Sequence, residues 1–394
     1  MTTIDRAAVP AVDTNRDLEI VSVQAIPTSI PAEGPVRMGL GKMIKRDTVV
    51  VKVVTRGGLV GYGEAHHGRS PGTVAHLVNN RLRPFLIGRQ ADDVVGIWET
   101  IYHNVLATHG LGAASSIGLS GVDQALWDIR GKAVGWPLYR LLGGSARPIR
   151  AYAGSMSLGY QAPESLVETA KQHVADGYTA LKLRIGDSVP LDAARITAVR
   201  EALGDGIALL TDANTRYTLA DVRRIMPVLE AQQVGWLEEP FPPHDYRTYQ
   251  EAKQLGQVPL AVGENHYTRF EFHRLVDDRA VSILQPDLSK CGGLTEALRI
   301  AAIGSAWKLQ VNPHSSMTGL NHAVTIHFLA AIPNGGYFEA DGSPPTLFRS
   351  ELTSSAYTVD SQGNVHPLEA PGIGVEVNEE FLNAHPVIEG PGFM

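Results

Sequence analysis

The sequence predicts an α/β fold in which a closed parallel barrel of βα repeats follows a smaller domain with an antiparallel sheet. Two observations carry this. Between residues 177 and 341, short apolar runs recur at intervals of roughly 25 residues, the length of one strand plus one helix in a βα repeat, and each ends in a polar residue. Ahead of that stretch the pattern is β-branched and extended, then helical, with turn signals between. The length of 394 residues agrees, since a barrel alone takes about 250.

Residues 1–16 contain Asp5, Arg6, Asp13 and Arg16 without a long apolar segment, so they read as a flexible tail and not as a signal peptide. A capping domain is expected over 17–145. In it, Ile20-Val-Ser-Val and Thr48-Val-Val-Val-Lys-Val-Val read as strands, and Arg56-Gly-Gly before Leu59 is a hairpin turn. Two polar loops, 31–46 and 64–71, hold Arg37, Lys42, Lys45, Arg46, His66, His67 and Arg69. Helical periodicity covers 73–86, 91–109 and 112–133, the last crowded with Ala, Gly and Ser, which permits close packing, before Gly131 to Pro137 stops it. The stretch 141–148 reads as a linker. The barrel is expected over 146–341, opening at Arg150-Ala-Tyr-Ala-Gly, with helices at 163–176, 191–203 and 219–232 between strands. From 342 to 394 the alternation stops, and the segment is expected to return to the capping domain.

Composition narrows the function. An apolar fraction of 44% and a charged fraction of 19% are ordinary for a soluble globular protein. A net charge of −7 gives no basic face for nucleic acid. One cysteine, Cys291, excludes an internal disulfide framework and fits the reducing cytoplasm. No apolar run approaches the roughly 18 residues of a membrane span.

The strand ends carry the chemistry. In a parallel barrel they converge on one face, so residues far apart in sequence share a pocket. Asp212, Glu238 and Glu264 end three consecutive strands. Three converging carboxylates repel one another, and a hard divalent cation with oxygen ligands relieves this, Mg²⁺ fitting best. Asp287 and His314 end the next two strands, where a carboxylate orients an imidazole and raises its basicity. Lys182 and Arg184, two apart on one strand, point to the same side and both are expected to face the pocket. Glu339 closes the ring on the eighth strand. Asn214, Asn265 and Lys290, close behind these ends, join His66 and His67 as candidate substrate contacts.

At these residues the chain resembles the enolase superfamily, within it the mandelate racemase and muconate lactonizing enzyme branch. The resemblance also covers Ala125-Leu-Trp-Asp-Ile-Arg-Gly-Lys-Ala-Val-Gly-Trp-Pro and the tail Pro371-Gly-Ile-Gly-Val-Glu-Val. It implies a modified TIM barrel, (β/α)7β, with an α+β capping domain, an essential Mg²⁺, and a homo-oligomer, a dimer or octamer. It puts the metal ligands on Asp212, Glu238 and Glu264, a His-Asp dyad on His314 and Asp287, and a carboxylate-binding acid on Glu339. It implies removal of the proton α to a carboxylate. The branch's Lys-x-Lys motif falls on Lys182 and Arg184, so arginine stands where a second base is usual, and arginine does not lose its proton.

With His314 as the single base, dehydration of a hydroxy acid or acid sugar to a 2-keto acid is the expected reaction. A racemase or epimerase is the alternative, with Lys182, His66 or His67 as the second group. A barrel that binds an acid without turning it over is a third reading, which the full set of metal and dyad residues opposes.

Overall fold

Three antiparallel strands, Ile20–Pro31, Lys45–Thr55 and Val60–Ala65, form the amino-terminal sheet of the computed structural model. The structure describes residues 17–32, 37–38, 41–109, 111–154, 158–315, 317–343 and 346–394. The expected flexible tail, 1–16, lies outside them, as do 33–36 and 39–40 of the first polar loop and the side chain of Arg37.

The central strand is covered on both faces, which is why Val49, Val50, Val51 and Val53 are all fully buried. One cover is the helix Ala113–Val134. Small residues let it lie close: a Cβ on Gly63 would stand 2.1 Å from the Gly121 carbonyl oxygen, and one on Gly121 would stand 2.7 Å from Val51 Cγ2. The helix ends at Gly135, whose φ of 69° is the left-handed conformation that glycine adopts freely.

Two expectations in this region need correction. Lys45 and Arg46 are not loop residues but open the central strand, and Glu64 and Ala65 close the third. Charge signals a loop only where it stays solvated, and here each cation is paired, Lys45 with Asp47 two residues along the same strand at 3.2 Å and Arg46 with the distant Asp341 at 3.7 Å. The helices expected over 73–86 and 91–109 are also broken. Pro71–Leu77 gives way to a wider turn and then to a tight turn at Arg83–Phe85, where Pro84 has no N–H to continue the ladder. The next helix starts at Val94, because Asp93 caps it by accepting from the Gly96 amide at 3.1 Å.

Eight parallel strands then build the barrel: Ile149–Gly154, Ala180–Arg184, Ala208–Asp212, Leu237–Glu238, Leu260–Val262, Ile283–Leu284, Gln310–Val311 and Phe338–Asp341. The eighth pairs with the first, Glu339 beside Tyr152, and a bridge from Val311 to Gly335 joins the seventh to the approach of the eighth. Seven helices alternate with them, from Pro163–Ala175 to Gly319–Ala331. The architecture is the (β/α)7β barrel with an α+β cap. Its interior is layered with period two. Tyr152, Ala180, Leu210, Trp236, Ala261 and Ile283 form an apolar plug, and two residues further on the same strands project Lys182, Asp212 and Glu238.

The segment after residue 342 runs back over the cap. Asn364–Val365 pairs antiparallel with the first barrel strand. Gly372 packs against Gly131, and Asp128 Oδ1 accepts from the Ile373 amide at 2.9 Å. Further on, the Ile44 amide donates to the Gly392 carbonyl at 2.9 Å, and Met394 exchanges two backbone hydrogen bonds with Lys42.

Candidate active site

At the carboxyl ends of the barrel strands lies a cavity of about 420 Å³. Asp212, Glu238 and Glu264 come from the third, fourth and fifth strands, and each offers one carboxylate oxygen within 4.8 Å of the other two. The oxygens are pre-arranged by the barrel itself. Gln285 Nε2 donates to Glu238 Oε2 at 2.7 Å and Trp236 Nε1 to the same oxygen at 3.1 Å, while the Asn214 amide donates to Asp212 Oδ1 at 2.8 Å. Three hard oxygen donors held this close, two of them buried and Glu264 half-buried at the cavity, match the ligand chemistry of Mg²⁺.

Lys182 Nζ sits under this cluster, 2.7 Å from Glu238 Oε1, 2.9 Å from Glu339 Oε1 and 3.5 Å from Asp212 Oδ2. The expectation that Lys182 and Arg184 both face the pocket is therefore half corrected. They share one side of the strand, but Lys182 is fully buried, two residues or about 6.6 Å deeper, and does not line the cavity. Arg184 does line it and bonds to Asp212 Oδ2, with Asn214 Oδ1 at 3.2 Å.

On the opposite side of the triad, His314 Nδ1 and Asp287 Oδ2 are 2.7 Å apart. Asp287 is fixed in turn through its other oxygen, which accepts from the Ser289 amide at 2.8 Å, the Ser289 hydroxyl at 2.7 Å and Asn321 Nδ2 at 3.2 Å. His314 Nε2 faces Glu264 Oε2 at 3.1 Å. Burial alone would push the imidazole down, but Glu264, Glu339 and Asp287 raise it to about 9. For Asp287, burial is outweighed by the His314 bond, so its carboxylate is held below the usual range. The loop bearing this dyad partner is clamped by the long cap helix, through Gln124 Nε2 to the Leu288 carbonyl at 2.9 Å and the Ser116 hydroxyl to the Lys290 carbonyl at 2.8 Å.

Glu339 lines the cavity and accepts from the Ser315 amide at 3.3 Å; Lys182, His314 and Arg184 overcome its burial and keep it ionised. Asn265 Nδ2 bridges Glu239 Oε2 at 2.8 Å and Glu264 Oε1 at 3.2 Å. Asn214, Asn265, Lys290, His66 and His67 all line the cavity, as do Lys45, Arg46 and Arg69 from the cap. Lys42 does not.

Sequence reasoning passed over several groups. Glu239 follows Glu238 directly, so strand alternation would turn it away, yet its φ of 36° breaks the strand and aims it into the cavity. Burial and the neighbouring Glu264 push its carboxyl up to about 8. Gln285, two residues before Asp287, was open to the period-two argument. Residues 391–393 also wall the cavity, and no local pattern announces them. Glu64, at the end of the third cap strand, is fully buried; its Oε2 accepts from the Thr318 hydroxyl and from the amides of Thr318 at 3.3 Å and Asn321 at 3.4 Å.

Residues 20–143 match the mandelate racemase / muconate lactonizing enzyme amino-terminal domain, and residues 165–381 match the enolase C-terminal domain-like family. The chain belongs to the enolase superfamily. A superfamily member from Polaromonas sp. JS666 is 52% identical, with a TM-score of 0.93 over 95% of this chain and 100% of that one. A D-galactonate dehydratase from Verminephrobacter eiseniae is 31% identical over 350 residues, 84% of this chain and 89% of its own. A racemase from Streptomyces coelicolor A3(2), solved with bound magnesium, is 29% identical, with a TM-score of 0.85 over 93% of this chain and 100% of that one. Among the described residues no helix is long and apolar enough to cross a membrane.

Proposed function

We propose that this superfamily member is a Mg²⁺-dependent dehydratase that converts a hydroxy acid or acid sugar to a 2-keto acid. The observation that carries the reading is the asymmetry of the cavity walls, a tightly held His314–Asp287 dyad on one side and an arginine, Arg184, on the other. Asp212, Glu238 and Glu264 would hold Mg²⁺, which when bound supplies positive charge to the substrate carboxylate as negative charge builds there. Glu264 is the largest cause of the raised His314 imidazole, so with that charge taken up by the cation His314 is neutral. Its Nε2 takes the proton from the carbon next to the carboxylate, while Asp287 steadies the imidazolium through Nδ1. The electron pair left behind expels hydroxide from the neighbouring carbon. The imidazolium returns its proton to that hydroxide, water departs, and the enol tautomerises to the 2-keto acid. Arg184 and Asn214 offer N–H donors to substrate oxygens, and Arg184 cannot accept a proton from the second face. Glu339 is placed to meet the substrate carboxylate opposite the metal ligands, and it hydrogen-bonds there only after taking up a proton, since two carboxylates have no donor between them. In this reading barrel residues 146–341 do the chemistry, while cap 17–145 and segment 342–394 choose the substrate. The enzyme works in the cytoplasm as a homo-oligomer, without nucleic acid or membrane.

The test is a library of sugar acids and hydroxy acids, incubated in D₂O with Mg²⁺ and followed by proton NMR. The expected result is a 2-keto acid from one configuration at the α-carbon, stopped by a chelator. Deuterium entering both α-epimers without keto acid would establish the racemase or epimerase instead.

A further inference from the structure

The cap side of the cavity has a composition that the reaction at the metal end does not use. His66 and His67 lie side by side there with ring centroids 3.9 Å apart and planes tilted by 33°. Their protonation pattern is set by backbone, because His66 Nδ1 accepts from the Gly68 amide at 3.2 Å and His67 Nδ1 accepts from the Arg69 amide at 2.9 Å. A ring nitrogen that accepts carries no proton, so each neutral imidazole has its hydrogen on Nε2, on the far side of the ring from the loop. Burial and the surrounding cations keep both rings neutral: His67 is pushed down to about 3 by burial and by Lys290, Arg69 and Lys45, and His66 is depressed by burial, His67 and Lys290. Two hydrogen-bond donors are therefore presented, and neither ring has a free basic nitrogen on its Nε2 side. This removes the histidine pair as the second base that a racemase would need.

Two cations complete the arrangement. Lys290 is 5% exposed, and its nearest carboxylate oxygens, on Glu264 and Asp287, are 3.9 and 4.0 Å away, too far for direct hydrogen bonds. A buried ammonium with long contacts to carboxylates it shares with His314 is electrostatically satisfied but has hydrogen-bond capacity to spare. Arg69 sits at the mouth, its guanidinium 5.6 Å above the Phe393 ring, with no carboxylate partner among the described residues. His66, Arg69 and Lys290 line both the main cavity and a smaller one of about 170 Å³ beside it, so these three donors meet where the two join, with His67 on the main cavity beside them.

We infer that His66, His67, Arg69 and Lys290 form a second anion subsite, and that the substrate is a dicarboxylic sugar acid whose far carboxylate docks there. The inference rests on the dehydratase reading for which end of the acid reacts; the subsite itself stands on the donors. Four donors converging on one end favour an anion over a hydroxyl, since a neutral hydroxyl accepts from only two partners and leaves the cationic charge uncompensated.

Binding tests this without turnover. Calorimetry on the Mg²⁺-loaded enzyme would compare hexanedioate with hexanoate, neither of which can react. The expected result is at least tenfold tighter binding of the diacid, with the ratio falling toward one in Arg69→Gln and recovering in Arg69→Lys. Arg69 is exposed, so the variants are expected to fold. A ratio near one in the wild type, or a ratio unchanged by Arg69→Gln, would overturn the subsite. A hexaric acid and the hexonic acid of the same configuration are then assayed for 2-keto acid. Faster turnover of the hexaric acid supports the inference. Full-rate turnover of the hexonic acid overturns it and leaves the dehydratase standing, whereas diacid-selective binding with no keto acid from any sugar acid keeps the subsite and overturns the dehydratase.

Discussion

Glu64 offers a stability test that is independent of the reaction. It ties the cap to the start of the helix Gly319–Ala331, yet only one of its oxygens is bonded; Oε1 is buried with no partner among the described residues. Burial, with a smaller push from the Asp287 charge, raises its carboxyl from the usual 4.5 to about 8, against the lowering effect of the Thr318 and Asn321 donors. A raised carboxyl favours the protonated form in the fold. Below about pH 4.5 both folded and unfolded chains hold the proton, and Glu64 contributes no pH dependence. Between 4.5 and 8 the unfolded chain ionises while the folded one does not, so stability falls by about 1.4 kcal/mol per pH unit. Over the interval that is on the order of 5 kcal/mol, and above pH 8 the loss is constant. Glu64→Gln keeps an acceptor for Thr318 and cannot ionise. Urea unfolding of both proteins in chelator, at pH 5 and pH 8.5, should show the variant near the wild type at the lower pH and about 2–4 kcal/mol more stable, relative to it, at the higher. An offset equal at the two pH values would refute the reasoning, since Glu64 would then be ionised in the native protein.

The remaining predictions concern the site and its packing. Asp212→Asn or Glu264→Gln should weaken Mg²⁺ binding in calorimetry by at least tenfold, and unchanged affinity in both would remove the metal site. His314→Asn should retain Mg²⁺ binding and lose about 10²–10⁴-fold in turnover of the identified acid, with wild-type turnover refuting its role as base. Asp287→Asn should lose less or a similar amount, read as kcat in the same assay, because it alters the imidazole without removing it. Gly63→Ala drives a methyl toward the Gly121 carbonyl at 2.1 Å, so the helix must shift, at a cost of about 1–3 kcal/mol measurable by thermal unfolding.

The barrel and its acids were legible because both rest on local periodicity. A strand of Ala180, Lys182 and Arg184 declares its inward side in three letters, and the same holds for Leu210 with Asp212 and Trp236 with Glu238. The depth of each residue was not legible: Lys182 and Arg184 look equivalent in sequence and differ by a full layer of the interior. Glu239 escaped because alternation fails where the backbone turns left-handed, a property of the loop and not of the residue type. Lys45 and Arg46 escaped for another reason. The Lys45–Asp47 pair is local, but strand burial of two adjacent charged residues is not announced by their types. Arg46 is paired with Asp341, nearly three hundred positions away, and no window on the sequence contains that pair. Residues 391–393 were hidden by the same distance.

That distance also orders events during synthesis. The cavity wall joins Lys45 and His66 to Phe393, while the acids of the metal cluster lie between residues 212 and 264. A chain emerging from the ribosome can therefore bring its carboxylates together well before residue 393 is available, and the wall closes only through contacts of very long sequence separation, which form late.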